Sequence, residues 1–400
     1  MTAMPTLLTI DAALARVLER AQPLETVAVP LAEAAGRVLA EAVLARTDLP
    51  PFRSSAMDGF AIRAADAPGR LPVVERIPAG RPASRALLPG EAMGIATGAS
   101  VPDGADAVVP IEHVTDYGGE VEIPALVVQF DNVRPVGGDV RSGDEVLGAG
   151  SVLGAAQVGA LAAAGVAAVR CSRAPRVAVL STGTELRALG EDLGPGQIYE
   201  SNGLMIAAAA VAAGAQIESL EHVDDDPTAH RLALERGLAA DVLVSSGGVS
   251  VGPHDLVRRI EAELGVEEVF WGVAVKPGKP LAFGVRGRTL VFGLPGNPVS
   301  SLVAVELFVR PALLALQGAA SPGPHYASGT LTAPLRANDD RDQLVRARSR
   351  VVEGDTLLEP LSGQESHMIV RAAAADALVL VRRGGSDLTA GTRVPYLRLG

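Results

Sequence analysis

The 400-residue chain has a single cysteine, Cys171, so it cannot close an internal disulfide or build a cysteine-ligated metal site. Aromatic residues are scarce: seven Phe, four Tyr and one Trp make 3% of the chain. A single-strand nucleic-acid binder needs stacking platforms and a basic groove, and this composition supplies neither. Positive charge is in deficit, with 35 Lys+Arg against 46 Asp+Glu and a formal net charge of −11. Nucleic acid and anionic membranes are therefore not expected partners. Lysine is the sparsest cation, and both copies, Lys276 and Lys279, fall in one short turn. Met1–Leu8 lacks the basic flank and apolar core of a secretory leader. The most apolar stretch, Val152–Val169, is mostly Ala and Gly with Gln157 inside, so it reads as a close-packed helix, not a membrane span. A cytoplasmic location is expected.

Gly (44) and Pro (28) are in excess without a collagen-like period, which predicts many tight turns. The length allows two to four domains. Thr9 can cap a helix carrying Ile10, Leu14 and Val17 on one face, and a second helical pattern runs from Leu31 to Val43. Short apolar runs with frequent turn signals follow, then an Ala-rich helical stretch. From Arg176 strand and helix alternate. Asn202 and Asp226 stand as caps, and the apolar helix after Pro298 belongs in a core. After Gly318 short alternating strands return. The expected fold class is α/β multidomain. A helical N-terminal and linking domain covers 1–45 plus 142–174, and a mostly-β domain is inserted at 46–141. A three-layer α/β/α domain with a mainly parallel sheet spans 175–318, and a small β-barrel-like domain spans 319–400.

Open parallel sheets bind ligands at the carboxyl ends of their strands. Three loops predicted there are rich in Ser, Thr and Gly. They are Ser181-Thr182-Gly183-Thr184-Glu185, Ser245-Ser246-Gly247-Gly248-Val249-Ser250-Val251-Gly252, and Gly293-Leu294-Pro295-Gly296-Asn297-Pro298-Val299-Ser300. Each leads toward a helix start, where free N–H groups and the helix dipole favour an anion. One such loop alone is usually only a turn; three on one edge point to a ligand. Glu185, Asp225 and Asp255 mark the same edge, and oxygen donors beside phosphate suit Mg²⁺. Asp226 reads as a plain N-cap. Lys276-Pro277-Gly278-Lys279-Pro280 holds two ammonium groups on a stiff segment suited to an oxyanion. No P-loop, dinucleotide-binding glycine motif, zincin histidine pair or nucleophile elbow occurs.

Taken in order, these segments resemble the molybdopterin molybdenumtransferase family, to which the C-terminal region of gephyrin is related. The matching run also includes Pro50-Pro51-Phe52, Ser55-Ala56-Met57-Asp58-Gly59-Phe60-Ala61, Thr97-Gly98, Pro102-Asp103-Gly104-Ala105-Asp106-Ala107-Val108 and Arg134-Pro135-Val136-Gly137-Gly138-Asp139. It covers about residues 5–318. The resemblance implies Mg²⁺-dependent insertion of molybdate into adenylylated molybdopterin with release of AMP. It also implies a homodimer whose active sites are shared between subunits, and transient contact with other cofactor-assembly proteins.

Carried over by position, Asp58 would act from the partner subunit, beside Thr97 and Asp139. Glu185, Asp225 and Asp255 would be catalytic and hold the metal. Ser245, Ser246, Gly247, Gly248, Ser250 and Asn297 would bind substrate. Lys276, Lys279 and Ser300 would meet molybdate or phosphate, while Pro295 and Pro298 shape their loop. Two positions depart from the family pattern: Gly272, where relatives often carry a basic residue, and Gly138, where an acidic one is common. Two other classes compete. A receptor-anchoring scaffold would not need this carboxylate and lysine set. An adenylyltransferase one step earlier would resemble only the α/β domain.

Overall fold

A computed structural model describes residues 7–224, 226–248 and 256–399. The first helix, Ile10–Arg20, starts where Thr9 Oγ1 accepts the Ala12 N–H at 3.0 Å. It buries Ile10, Ala13 and Val17 in the core of the α/β domain. Beyond it, strand Thr26–Pro30 pairs antiparallel with Ala168–Ser172, so chain segments on either side of the intervening β region come together. Around that pair, Leu31, Leu39, Leu153, Leu161 and the buried Cys171 form a separate small core.

The helix expected over Leu31–Val43 shrinks to one 3-10 turn, Leu31–Glu33. Gly36 takes a left-handed φ of 78°, and Val38 and Leu39 then bridge to Val152 and Cys171. Long-range pairing overrides a local helical pattern here. The Ala-rich stretch is helical only over Ala155–Ala163 before it enters strand Ala168–Ser172.

The inserted region folds as a curled six-stranded sheet in the order Ala107–Pro110, Gly59–Ile62, Ala92–Ile95, Gly69–Ile77, Glu120–Ile123, Thr115–Asp116. Alternation sends Phe60 and Ile62 into one apolar cluster and Ala61 into another on the opposite face.

The central sheet has the order Gln216–Val223, Arg176–Thr182, Val242–Ser246, Thr289–Leu294, Ala282–Arg286, Glu267–Trp271. Its first four strands are parallel and Ala282–Arg286 is reversed. The three inner parallel strands are largely buried apolar runs, as burial on both faces requires, while the edge strand Gln216–Val223 alternates exposed and half-buried residues. The helix predicted from Pro298 extends to Leu316 and is mostly buried. It is the one described helix long and apolar enough to cross a membrane. Pro311 has no N–H to offer and crowds the carbonyl one turn back, and the helix widens to a π turn over Val305–Val309 just before it.

The amino edge of this sheet is stapled to the N-terminal region by charge. Arg173 forks onto Asp241 at 2.5 and 2.7 Å and reaches Glu25 at 2.6 Å, while the Arg176 N–H donates to Asp241 at 2.8 Å. Burial opposes the Asp241 charge, but the Arg173 fork and the Arg176 N–H prevail. They hold the carboxyl below the ordinary carboxylate range.

The C-terminal strands Tyr326–Leu331, Asp342–Val352, Asp355–Pro360, Ala377–Val381 and Arg393–Arg398 close into a five-stranded barrel. A short strand, Val275–Lys276, pairs with Asp342–Gln343 on its flank. The lysine turn is thus tied to the barrel.

Candidate functional site

Strands Arg176–Thr182, Val242–Ser246 and Thr289–Leu294 all end on one edge, and a cleft of about 590 Å³ opens there. Ser181, Thr182, Glu185, Ser246, Asn297 and Pro298 all line it. The first and third predicted loops, and the strand end that opens the second, therefore do converge. Gly247 follows Ser246 with φ of 94°, and a Cβ there would sit 2.7 Å from the Thr182 carbonyl oxygen. Only glycine lets two neighbouring strand ends approach this closely.

The other predicted residues separate by role. Ser245 is fully buried, and its hydroxyl donates to the Phe292 carbonyl at 3.4 Å, back into the sheet. Gly248 is exposed beside Gly247. Pro295 is buried and its carbonyl accepts the Ser301 hydroxyl, which fixes the bend before the helix. Ser300 is buried one turn into that helix, and its carbonyl oxygen is 3.5 Å from where a Cβ on Gly278 would lie. The lysine turn therefore packs directly against the helix start. Lys276 is exposed and Lys279 half-buried, and neither makes an ion pair among the described residues. Asp225, Asp255 and Ser250 lie outside the described residues.

In the inserted domain, Asp58 Oδ1 accepts the Thr97 N–H at 2.7 Å, and both residues are exposed. Asp139 is exposed elsewhere on the neighbouring loop, where its N–H donates to the Leu49 carbonyl at 2.9 Å. No described hydrogen bond joins these three to the cleft. Gly272 has φ of 87°, and a Cβ would meet Leu7 at 2.7 Å, so the backbone itself selects against a side chain there. Gly138 has no such left-handed φ, but a Cβ would still press on the Pro135 ring at 3.1 Å.

Four contributors were not legible as site residues. Asn202 reads in sequence as a helix cap, yet Ser201 occupies that position and makes no side-chain cap bond. Asn202 Nδ2 instead bridges Ser246 Oγ at 2.8 Å and the Gly296 carbonyl at 2.7 Å, clamping two of the loops together. Its Oδ1 is buried and has no partner among the described residues. Glu200 Oε1 accepts the Ser181 hydroxyl at 2.9 Å and the Gly203 N–H at 2.7 Å, leaving Oε2 without a described bond at the cleft wall. His367 and Ile369 reach the cleft from the C-terminal barrel. The position of Glu200 and Asn202 at a helix start after a parallel strand was a usable signal; nothing local marked the other two.

The cleft is thus rich in oxygen atoms and walled by two carboxylates, with the lysine turn packed against the nearby helix start and unpaired among the described residues. Among the described residues no three His, Cys, Asp or Glu side chains form a ready metal cluster. Glu185 and Glu200 with the orphaned Asn202 oxygen still make an all-oxygen donor set of the kind hard divalent cations prefer.

Three family models match the chain in order. They are the MoeA N-terminal region (domain I and II) over residues 8–165, a probable molybdopterin binding domain over 178–315, and the MoeA C-terminal region (domain IV) over 328–399. Molybdopterin molybdenumtransferase 2 of Mycobacterium tuberculosis is 38% identical over 393 residues, covering 94% of this chain and 96% of that protein. The molybdopterin molybdenumtransferase of Haemophilus influenzae is 34% identical over 396 residues, covering 97% and 98%. A crystal structure of the molybdopterin biosynthesis MoeA protein from Pyrococcus horikoshii matches with a TM-score of 0.83 at 27% identity, covering 98% of this chain and all of that one. With relatives this similar along its whole length, the chain belongs to the molybdopterin molybdenumtransferase family, transferases of molybdenum cofactor biosynthesis.

Proposed function

We propose that the cleft binds adenylylated molybdopterin and that the protein inserts molybdate into it with release of AMP, in a Mg²⁺-dependent reaction. The observation that carries this reading is the Asn202 clamp, which brings Ser246 and Gly296 into one anion cradle beside Glu185. The helices Asn202–Ala212 and Pro298–Ala304 begin at that edge, where the positive ends of their dipoles favour phosphate. Lys276 and Lys279 would offset the charge of the incoming oxyanion, since neither makes an ion pair among the described residues. Glu185 and Glu200, with Asp225 and Asp255, would hold Mg²⁺. Bound there, the ion would neutralise charge on the phosphates as AMP leaves. The chain's own groups orient the phosphoanhydride and fix the leaving adenylate relative to the oxyanion.

Asp58, Thr97 and Asp139 have no role in the cleft of their own chain. A homodimer in which they complete the site of the partner subunit accounts for two separated sets of polar loops. Transient contact with other cofactor-assembly proteins and a cytoplasmic location complete the reading.

Incubation with adenylylated molybdopterin, Mg²⁺ and molybdate tests it. AMP release that requires molybdate supports the transferase. ATP consumption with unadenylylated molybdopterin would instead identify an adenylyltransferase, and neither activity would favour a scaffold.

A further inference from the structure

The C-terminal barrel contains a buried arginine that the proposed chemistry does not use. Arg346 is 1% exposed and makes no ion pair among the described residues, with only the through-space pull of the Glu365 carboxylate favouring its charge. Its guanidinium donates instead to the carbonyls of Gly363 (2.8 Å), Glu365 (3.2 Å) and Met368 (2.9 Å), and its Nε reaches Gln364 Oε1 at 3.3 Å. Gln364 returns a bond from Nε2 to the Arg346 carbonyl at 2.9 Å. One rigid fork thus organises the whole segment from Gly363 to Met368. A lysine offers a single point charge and could not satisfy three carbonyls in this geometry.

The outer side of that segment faces the cleft. The Ser366 carbonyl accepts the Val299 N–H at 3.0 Å, which docks the segment on the first turn of the helix that begins at Pro298. His367, next in sequence, lines the same cleft as Glu185 and Glu200. It is the one basic side chain on the cleft wall among the described residues. A barrel that served only as a cap would need neither the buried guanidinium nor an exposed imidazole at this point.

We infer that the C-terminal domain supplies a substrate contact: His367 donates a hydrogen bond to a phosphoryl oxygen of the bound nucleotide-bearing substrate, and Arg346 is the positioning residue that holds it there. The inference rests on reading the cleft as a site for an adenylylated pterin. It adds a third region of the chain to that site.

Steady-state AMP release from adenylylated molybdopterin tests the contact. His367→Ala should raise KM about tenfold, the loss of one hydrogen bond to a charged group, with kcat within about twofold. His367→Gln keeps a donor and should recover much of that loss. Arg346→Lys should raise KM comparably, and the double variant should be no worse than His367→Ala alone, because both act through one contact. A KM within twofold of wild type for His367→Ala overturns the inference. Additive effects in the double variant overturn the positioning role of Arg346. If Arg346→Lys fails to fold, Gln364→Ala takes its place, since Gln364 is exposed and its loss loosens the same segment. A wild-type protein that releases no AMP would instead defeat the functional reading. The two failures are therefore distinguishable.

Discussion

Strand Val242–Ser246 has opposite chemistry at its two ends. At the amino end, Asp241 is saturated by Arg173 and the Arg176 N–H, with Glu25 joining from the N-terminal region. At the carboxyl end, Ser246 meets Asn202, whose other amide atom is buried without a described partner, and the lysines of the nearby turn make no ion pair among the described residues. Charge abounds at both edges, so charge alone does not mark a site. The distinction is whether polar groups are spent on one another. At the amino edge they join two parts of the fold; at the carboxyl edge they are held in place and left open. An unsatisfied buried oxygen is destabilising by about 1–3 kcal/mol, which a binding site can sustain and a structural joint has no reason to keep.

The sharpest break in this contrast would come from Glu185→Gln. Glu185 is exposed in the cleft and supports no described hydrogen bond from its carboxylate. The substitution should leave unfolding free energy within about 0.5 kcal/mol, as for other surface changes. AMP release should fall by about a hundredfold, near 2.7 kcal/mol of transition-state stabilisation. Single-turnover AMP assays beside denaturant melts would measure both. Retained turnover with lost stability would assign Glu185 to the structural class and remove it from the site.

Much of this arrangement was legible because it follows from local rules. Strand–helix alternation after Arg176, the Asp226 cap (its Oδ1 accepts the Ala229 N–H at 2.7 Å) and the apolar helix from Pro298 each depend on a few neighbouring residues. The lysine turn stood out because Lys276 and Lys279 are the chain's only lysines. What escaped depends on distant partners. Leu31–Val43 looks helical until Val38 and Leu39 find Val152 and Cys171. Asn202 has the right residue type for a cap, and only the meeting of three strand ends gives its amide better partners. His367 becomes a cleft residue only once the barrel closes and Arg346, some twenty residues upstream, gathers its loop.

At the amino edge the expected effects run the other way. Asp241→Asn should lower stability by about 2 kcal/mol, because it removes the counter-charge of a largely covered Arg173 while Glu25 remains. AMP turnover at 25 °C should stay unchanged. A turnover defect as large as that of Glu185→Gln would show that the two edges are coupled, and the division drawn between them would fail.

The smallest effect is the pH dependence of that same joint. The Asp241 carboxyl lies below its ordinary value in the folded protein, so the folded state binds its proton less readily than the unfolded chain does. Its stabilisation is complete above the unfolded value of about 3.9 and is lost as pH falls through the folded value. The stability difference between wild type and Asp241→Asn should therefore be flat from about pH 8 to pH 5 and shrink below about pH 4. Urea melts of both proteins across that range would read it. A difference that stays constant or widens on acidification would mean that the charge of Asp241 is not what holds the amino edge.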